Sequence, residues 1–345
     1  MSFIHVIIPC YNVEKYLEQA VYSVLNQPGK EIDIVLVDDG SPGRTPQLCD
    51  EIAAKEKRVH VIHKPNGGVS SARNVGIDHV LQQYAGSLAG HYIAFLDGDD
   101  TWEKDFMCAA VTGKLAEGFD LVGYQSCVCD ANLHRKETPN RIAQEGTLCG
   151  GADHVWDHST QSFAAMFYAC SLLREYQIRF QEGLRYSEDK IFSMRCMYLA
   201  DRIYLENRPM YLYRIIGGSA MTSRTFGIPY FLPIIDGYLR LDEQMQPYAN
   251  SSHGKLMAAK HCVRHYIMDM IDEHFQQGRP KAQIDALLAE RTEFVDALTA
   301  SNAFADSEPD PRYLRYCSSP RNYILKQRIL GVLVHTKRRI KRILK

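Results

Sequence analysis

The chain predicts an α/β fold built on a doubly wound, largely parallel sheet, and three observations carry that prediction. Phe3–Ile8 and Ile32–Val37 are continuous apolar runs rich in β-branched residues, the pattern of strands buried on both faces. Stretches with apolar residues at helical spacing separate such runs, so residues 1–100 read β-α-β-α-β-α-β. Each run also stops at a polar cluster, and open α/β sheets bind their ligands outside the carboxyl ends of the strands.

The first strand, Phe3–Ile8, is stopped by Pro9. Asn12 is placed to cap the following helix, where Tyr16, Leu17, Ala20, Val21, Val24 and Leu25 recur at helical spacing until Pro28-Gly29. Ile32–Val37 closes on Asp38-Asp39-Gly40-Ser41-Pro42, and a short helix from Pro46 to Lys57 follows. Val59–His63 is the third strand. Asn66-Gly67-Gly68 then turns the chain into a helix that opens at Ser70 or Ser71 and runs to Gln83. Tyr92–Leu96 is the fourth strand, and it ends at Asp97, Asp99 and Asp100 crowded around Gly98.

Those acids set the chemistry of the edge. Unpaired buried charge is costly, and like charges this close raise one another's pKa unless a cation sits among them. A hard divalent cation with oxygen ligands and room for substrate phosphates answers both problems; for the motif alone, an acidic turn opening a helix is the alternative. Polar clusters at four strand ends (Pro9–Asn12, Asp38–Asp39, Asn66–Arg73, Asp97–Asp100) point to a nucleotide site. It is of neither common kind, since no G-x-G-x-x-G follows the first strand and no G-x-x-x-x-G-K-[ST] occurs. Gly67-Gly68 serves a tight turn or a close backbone approach to a ligand. Arg73 is either a solvated charge or a donor to a base or phosphate.

Taken together, V-I-I-P-C-Y-N (6–12), V-L-V-D-D-G-S (35–41), K-P-N-G-G-V-S-S-A-R-N-V-G (64–76), F-L-D-G-D-D-T-W (95–102) and S-E-D (187–189) resemble, in order and spacing, the inverting family-two glycosyltransferases. The resemblance implies a GT-A fold, that is, a Rossmann-like mixed sheet of the nucleotide-diphospho-sugar transferases, here with a C-terminal helical region. It implies a nucleotide-sugar donor, most often a UDP-sugar. Pro9, Tyr11 and Asp39 match positions that contact base and ribose, and Arg73 matches a residue near the base. Asn12, Asn66 and Gly98 stand in the same donor-side motifs. Asp97 and Asp99 match the D-x-D pair, the first toward the ribose or the metal's water shell, the second toward Mn²⁺ or Mg²⁺. In the same resemblance Asp189 corresponds to the catalytic base; Glu188 is the back-up candidate for that role, and in the resemblance it helps position the base or the acceptor. Asp100 is left to open the next helix.

Beyond Trp102 the pattern loosens. A helix is expected from Glu103 to Glu117, then a strand over Phe119–Cys127. Asp130–Gly151 reads as a loop over the acceptor side; His134, His154 and His158, in or just after it, carry no assignment. Ser187 is a plausible N-cap, and acids are favoured in a first helical turn whatever their chemistry. Ile203–Leu205 is expected as a short last strand. It is followed by Y-x-Y-R (211–214), also similar to the family, and by Gly217-Gly218 as a hinge for a loop over the donor. Arg214 is a candidate for the diphosphate, or for a structural ion pair. Helices follow over Lys255–Phe275, Ala282–Ala300 and, after the polar linker Ser301–Pro311, Asn322–Lys345.

The organisation expected is a transferase domain over 1–220, a helical region over 221–311 and a basic amphipathic tail over 312–345. The net charge of −1 conceals an asymmetry: Arg312–Lys345 holds eleven Lys/Arg and no Asp/Glu, leaving −12 on the preceding residues. Such a tail suits an anionic membrane surface. Nucleic acid is not expected, because the helix Asn322–Lys345 lacks interleaved aromatics beyond Tyr323. The ten cysteines are scattered, with only a C-x-C at Cys127 and Cys129, which argues against zinc and for reduced thiols. With neither a secretion signal nor a spanning run, the expected location is cytoplasmic, peripheral on the cytoplasmic membrane face if the tail docks.

Function is therefore expected to be metal-dependent inverting transfer of a sugar to a hydroxyl on a lipid-linked or saccharide acceptor, in cell-surface polysaccharide or glycolipid synthesis. Two alternatives stay open. A nucleotidyltransferase shares such a sheet but needs a glycine-rich basic phosphate loop, which Pro9-Cys10-Tyr11-Asn12 is not. A non-catalytic membrane-docked subunit would have no need of Asp97, Asp99 and Asp189.

Overall fold

The structure is a computed structural model that describes residues 2–29, 31–137, 142, 144–150, 163–184, 186–216, 227–245, 254–299 and 311–330. The chain divides into two compact units, Met1–Thr222 and Ser223–Lys345.

The first unit holds a ten-stranded mixed sheet. Its opening half follows the expected alternation: β1 (Phe3–Cys10), α1 (Leu17–Leu25), β2 (Ile32–Asp38), α2 (Thr45–Lys55), β3 (Val59–His63), α3 (Val69–Gln83) and β4 (His91–Phe95). These strands lie parallel in the order β3-β2-β1-β4. The order reverses beside β1, and a crevice at the carboxyl ends is the consequence. Val6, Ile7, Ile8, Leu36, Val37, Ile93 and Phe95 are fully buried, as two-sided strands require. Gly76 lets α3 lie against β1; a Cβ there would stand 2.5 Å from Ile7 Cγ2.

The second half of the sheet departs from expectation. The segment Glu103–Glu117 is helical only over α4 (Ala109–Ala116), and β5 (Thr101–Trp102) precedes it. Residues 101 and 102 are drawn into the sheet by antiparallel pairing with Leu212 and Tyr211. Both are buried, and the Trp102 amide donates to Ser23 Oγ. After β6 (Leu121–Cys129), the expected loop Asp130–Gly151 contains two edge strands, β7 (Arg135–Glu137) and β8 (Gly146–Cys149). His154 and His158 lie outside the described residues. A strand not foreseen, β9 (Met166–Ala169), fills the centre between β4 and β6, antiparallel to both. It leads into α5 (Cys170–Glu175) and later α6 (Glu188–Leu199).

The last strand, β10 (Arg202–Arg214), has 13 residues rather than three. Pro209 interrupts it: without an amide hydrogen it cannot complete the ladder, and the register to β6 shifts on either side of it. Asn12 does not cap α1. Its backbone is left-handed (φ 55°), and the helix begins after Tyr16 with no side-chain cap.

The second unit is helical: α7 (Ile228–Met245), α8 (Gly254–Gln276), α9 (Lys281–Glu290), α10 (Thr292–Thr299) and α11 (Pro311–Ser318), with residues 320–330 forming α12. The single helix expected over Ala282–Ala300 is broken at Arg291, whose backbone leaves helical geometry (φ −111°, ψ 75°).

Candidate active site

The site grows from the ends of β1, β2 and β4. Asp39 follows β2, and its buried carboxylate organises the turn between β3 and α3. It accepts from the Gly67 amide (2.9 Å), the Gly68 amide (2.8 Å) and Lys64 Nζ (2.5 Å). Asn66 Nδ2 donates back to the Asp39 carbonyl at 2.9 Å. Asp39 and Asn66 are thus brought together as the sequence suggested, and three donors hold the Asp39 carboxylate in place. Beside them Tyr11 is half exposed at the end of β1. Asn12 is exposed next to it, and its amide donates to Ser41 Oγ (3.3 Å). Pro9 lies within β1, partly buried.

The acidic turn after β4 is braced from the far side of the sheet. Leu96 extends the ladder by donating to the Ile7 carbonyl (3.1 Å). The Asp97 amide donates to Tyr211 Oη (3.1 Å), and the Tyr211 hydroxyl donates to Asp100 Oδ2 (2.6 Å). The Arg214 amide closes the brace on Asp100 Oδ1 at 2.6 Å. Asp100 therefore does not open a helix; it is a buried carboxylate that ties the turn to β10, where its two hydrogen bonds offset part of the burial cost. Gly98 is required by packing, since a Cβ would meet Val13 Cγ2 at 2.9 Å.

Arg73 joins the donor-side acid to the helix that carries the candidate base. It is the fifth residue of α3, 3% exposed by side chain, and so is no solvated charge. Its Nη2 donates to Asp97 Oδ1 (2.7 Å) and its Nη1 to Glu188 Oε1 (3.2 Å). The guanidinium also lies over Phe163 (4.4 Å to the ring centre) and Phe180 (5.2 Å). Burial opposes its charge, but Asp97 and Glu188 more than compensate and hold it protonated above its usual range. Glu188 and Asp189 open α6 directly after Ser187, which takes a left-handed backbone (φ 63°) and makes no side-chain cap. That conformation costs about 1–2 kcal/mol for a residue with a Cβ, so the two acids are aimed by a strained junction. Asp189 is partly exposed, and one of its oxygens accepts the Lys190 amide at 2.7 Å.

The electrostatics separate the acids. Burial, then the charge of Asp97, pushes Asp99 up to about 6. Burial and the neighbouring Asp189 raise Glu188 well above the ordinary carboxylate range, although Arg73 pulls the other way. Burial, helped by Asp97 and Asp99, also raises Asp100 well above the ordinary carboxylate range, against the pull of its bonds to the Arg214 amide and Tyr211. The diphosphate chemistry of the resembled family implies Mn²⁺ or Mg²⁺. Among the described residues no set of three or more His, Cys, Asp or Glu is arranged to hold a metal. A phosphate-bridging cation asks less of the protein, one or two carboxylates with the phosphates completing the shell. Asp99 suits that need, because no side-chain donor reaches its carboxylate among the described residues. Asp97 offers its second oxygen, the first being held by Arg73.

Among the described residues Arg214 makes no direct ion pair, although its charge acts on Asp99. It is buried, with Nη2 donating to Gln19 Oε1 (2.7 Å), Nη1 to the Ala131 carbonyl (3.0 Å), and its plane over Tyr16. Gly217-Gly218 lies outside the described residues. Four residues of the site escaped sequence reasoning. Lys64 stood inside a quoted motif and Tyr211 inside Y-x-Y-R, so both carried a signal. Phe163 and Phe180 carried none.

With this geometry in hand, comparison with known proteins is informative. The profile described as glycosyl transferase family 2 matches residues 5–175. EpsJ of Bacillus subtilis (strain 168), an uncharacterized glycosyltransferase, is 29% identical over 279 residues, 77% of this chain and 75% of that protein. The succinoglycan biosynthesis protein ExoW of Rhizobium meliloti (strain 1021) is 27% identical over 224 residues, 59% of this chain and 66% of its own. Among solved structures, S. aureus TarS 1–349 in complex with UDP-GlcNAc superposes with a TM-score of 0.68 at 17% identity, covering 97% of this chain and 92% of that one. This last likeness establishes a shared fold.

Proposed function

This chain belongs to glycosyl transferase family 2 and has a GT-A fold, and on that premise we propose that it moves a sugar, with inversion, from a UDP-sugar to a hydroxyl of a saccharide or lipid-linked acceptor in polysaccharide or glycolipid synthesis. One observation carries the reading: a buried guanidinium, Arg73, is shared between the acid at the end of β4 and the acid opening α6. On this reading the shared guanidinium would hold the donor and attacking sides of a displacement next to each other.

The roles proposed are those the family resemblance implies for these positions. Asp39, Lys64 and the Gly67-Gly68 turn shape the pocket for base and ribose, with Tyr11 along its edge. Asp99, with Asp97, would hold Mn²⁺ or Mg²⁺, which when bound stabilises the negative charge gathering on the departing diphosphate. Asp189 takes the proton of the acceptor hydroxyl as that oxygen attacks the anomeric carbon on the face opposite the diphosphate. Its partial exposure leaves room for an acceptor. Glu188, held by Arg73, fixes the start of α6 and thereby the aim of Asp189. The choice of UDP leans on TarS, solved with UDP-GlcNAc, and the choice of a polysaccharide acceptor on ExoW.

A thermal-shift panel of nucleotide sugars with Mn²⁺ tests the donor, since a ligand bound to the native state alone raises the melting temperature. UDP and one or more UDP-sugars should stabilise, and other nucleotides should not. No response to any uridine nucleotide would contradict the reading.

A further inference from the structure

The C-terminal helices of the second unit present a surface that the transfer reaction does not use. The inner faces of α11 and α12 are bound to the helical body. Tyr316 donates to Asp285 (2.7 Å) and Arg312 to Asp269 (2.9 Å). Tyr323 donates to Asp272, and Gln327 Nε2 reaches Asp272 as well (2.7 Å). These contacts fix which side of α12 looks outward.

That outward side is apolar along its centre and basic on both flanks. Leu325 (58% exposed) and Ile329 (53% exposed) are four residues apart and share one face. By helical geometry Arg321 and Arg328 border that face on one side and Lys326 on the other. All three cations are exposed, and no acid pairs with them among the described residues. Large apolar side chains exposed at a helix centre are expensive in water, and long basic side chains beside them can extend past a buried apolar stripe to charged headgroups.

We propose that this face of α12 docks on an anionic lipid bilayer, lying in its surface without crossing it. Charge complementarity selects the lipid. From Arg312 to Lys345 the chain has eleven Lys/Arg and no acid, whereas the remainder carries −12. An anionic surface therefore attracts this end and repels the rest, so docking is oriented as well as favoured. Leu325 and Ile329 enter the headgroup boundary while Arg321, Lys326 and Arg328 meet lipid phosphates. No helix among the described residues is long and apolar enough to span a membrane, which leaves the surface-bound mode. The docking does not depend on what sugar or acceptor the catalytic unit uses.

Flotation of the full chain with vesicles of phosphatidylglycerol and phosphatidylcholine in equal parts tests this. Binding to these vesicles, weak binding to pure phosphatidylcholine, and loss in high salt are expected. Leu325→Gln/Ile329→Gln should lower partitioning by roughly tenfold or more. Arg321→Gln/Lys326→Gln/Arg328→Gln should lower it by roughly a hundredfold. In both variants the melting temperature and its shift by UDP should stay unchanged, because every altered side chain is exposed. A Leu325→Trp variant should bind as the parent does, and the fluorescence it adds to the parent's should shift to shorter wavelength on the vesicles. Equal binding by the apolar variant, or no such shift in the added fluorescence, would overturn the proposal. Charge-dependent binding to vesicles and to RNA alike, indifferent to the apolar pair, would overturn it too. So would an absence of vesicle binding, the result expected if residues 331–345 of the same chain cover this face.

Discussion

Arg73 neutralises carboxylates delivered by segments 24 and 115 positions away, and its loss would leave two partly buried acids unpaired. Arg73→Met should therefore cost about 2–3 kcal/mol in denaturant unfolding, below the range for a fully buried ion pair because water reaches the acids left behind. Arg73→Lys keeps the charge but not the fork, so stability should return in part while donor KM remains raised. Asp99 makes the opposite prediction. Its carboxyl is raised from 3.8 to about 6, so the folded state binds that proton more tightly than the unfolded chain does. The stability cost begins to grow above 3.8, is complete above 6, and approaches about 3 kcal/mol. Asp99→Asn should accordingly melt several degrees higher than the parent at pH 8 without divalent metal, and equally near pH 3.5. Added Mn²⁺ should stabilise the parent and leave the variant unmoved. A variant that melts lower than the parent at pH 8 would refute the assignment. The acids were picked out only through the family resemblance, in which D-G-D-D and S-E-D are two of five motifs in register; alone, each reads as an acidic turn or a helix start. Their shared cation was not legible, since no local pattern reports a contact across that separation.

At the level of elements, β10 is a part of the fold that sequence conveyed only as a fragment and on which the acidic turn depends. Pro209 and the charged residues before it hide a long strand behind the pattern of a loop, yet its carboxyl half supplies both Tyr211 and the Arg214 amide. β9 was missed for another reason: Met166–Ala169 is four wholly buried residues, too short to show a period. The parallel half was legible because its runs are long, β-branched and punctuated by turn residues. Tyr211→Phe removes a donor to buried Asp100 and an acceptor for the Asp97 amide, and should cost about 1–3 kcal/mol. Donor KM should rise more than kcat falls, since the hydroxyl sets the acidic turn and touches no reacting atom. An unchanged KM would mean that the turn holds its shape without β10.

For the whole molecule, a catalytic unit with acids gathered on one sheet edge is followed in sequence by a helical unit with a basic end. The division of labour among the acids is the central claim: Asp97 and Asp99 serve the leaving group, Asp100 serves the fold, and Asp189 serves the attack. The most direct test is the initial rate of UDP release from the UDP-sugar that best stabilises the protein, measured with Mn²⁺ for the parent and for Asp189→Asn, with UDP affinity determined on the same samples. The parent should turn over and lose activity with EDTA. Asp189→Asn should bind UDP within a few-fold of the parent while its rate falls by roughly 10²-fold or more, the usual size of a general-base contribution. Turnover at the parental rate in Asp189→Asn, with UDP binding intact, would contradict the account.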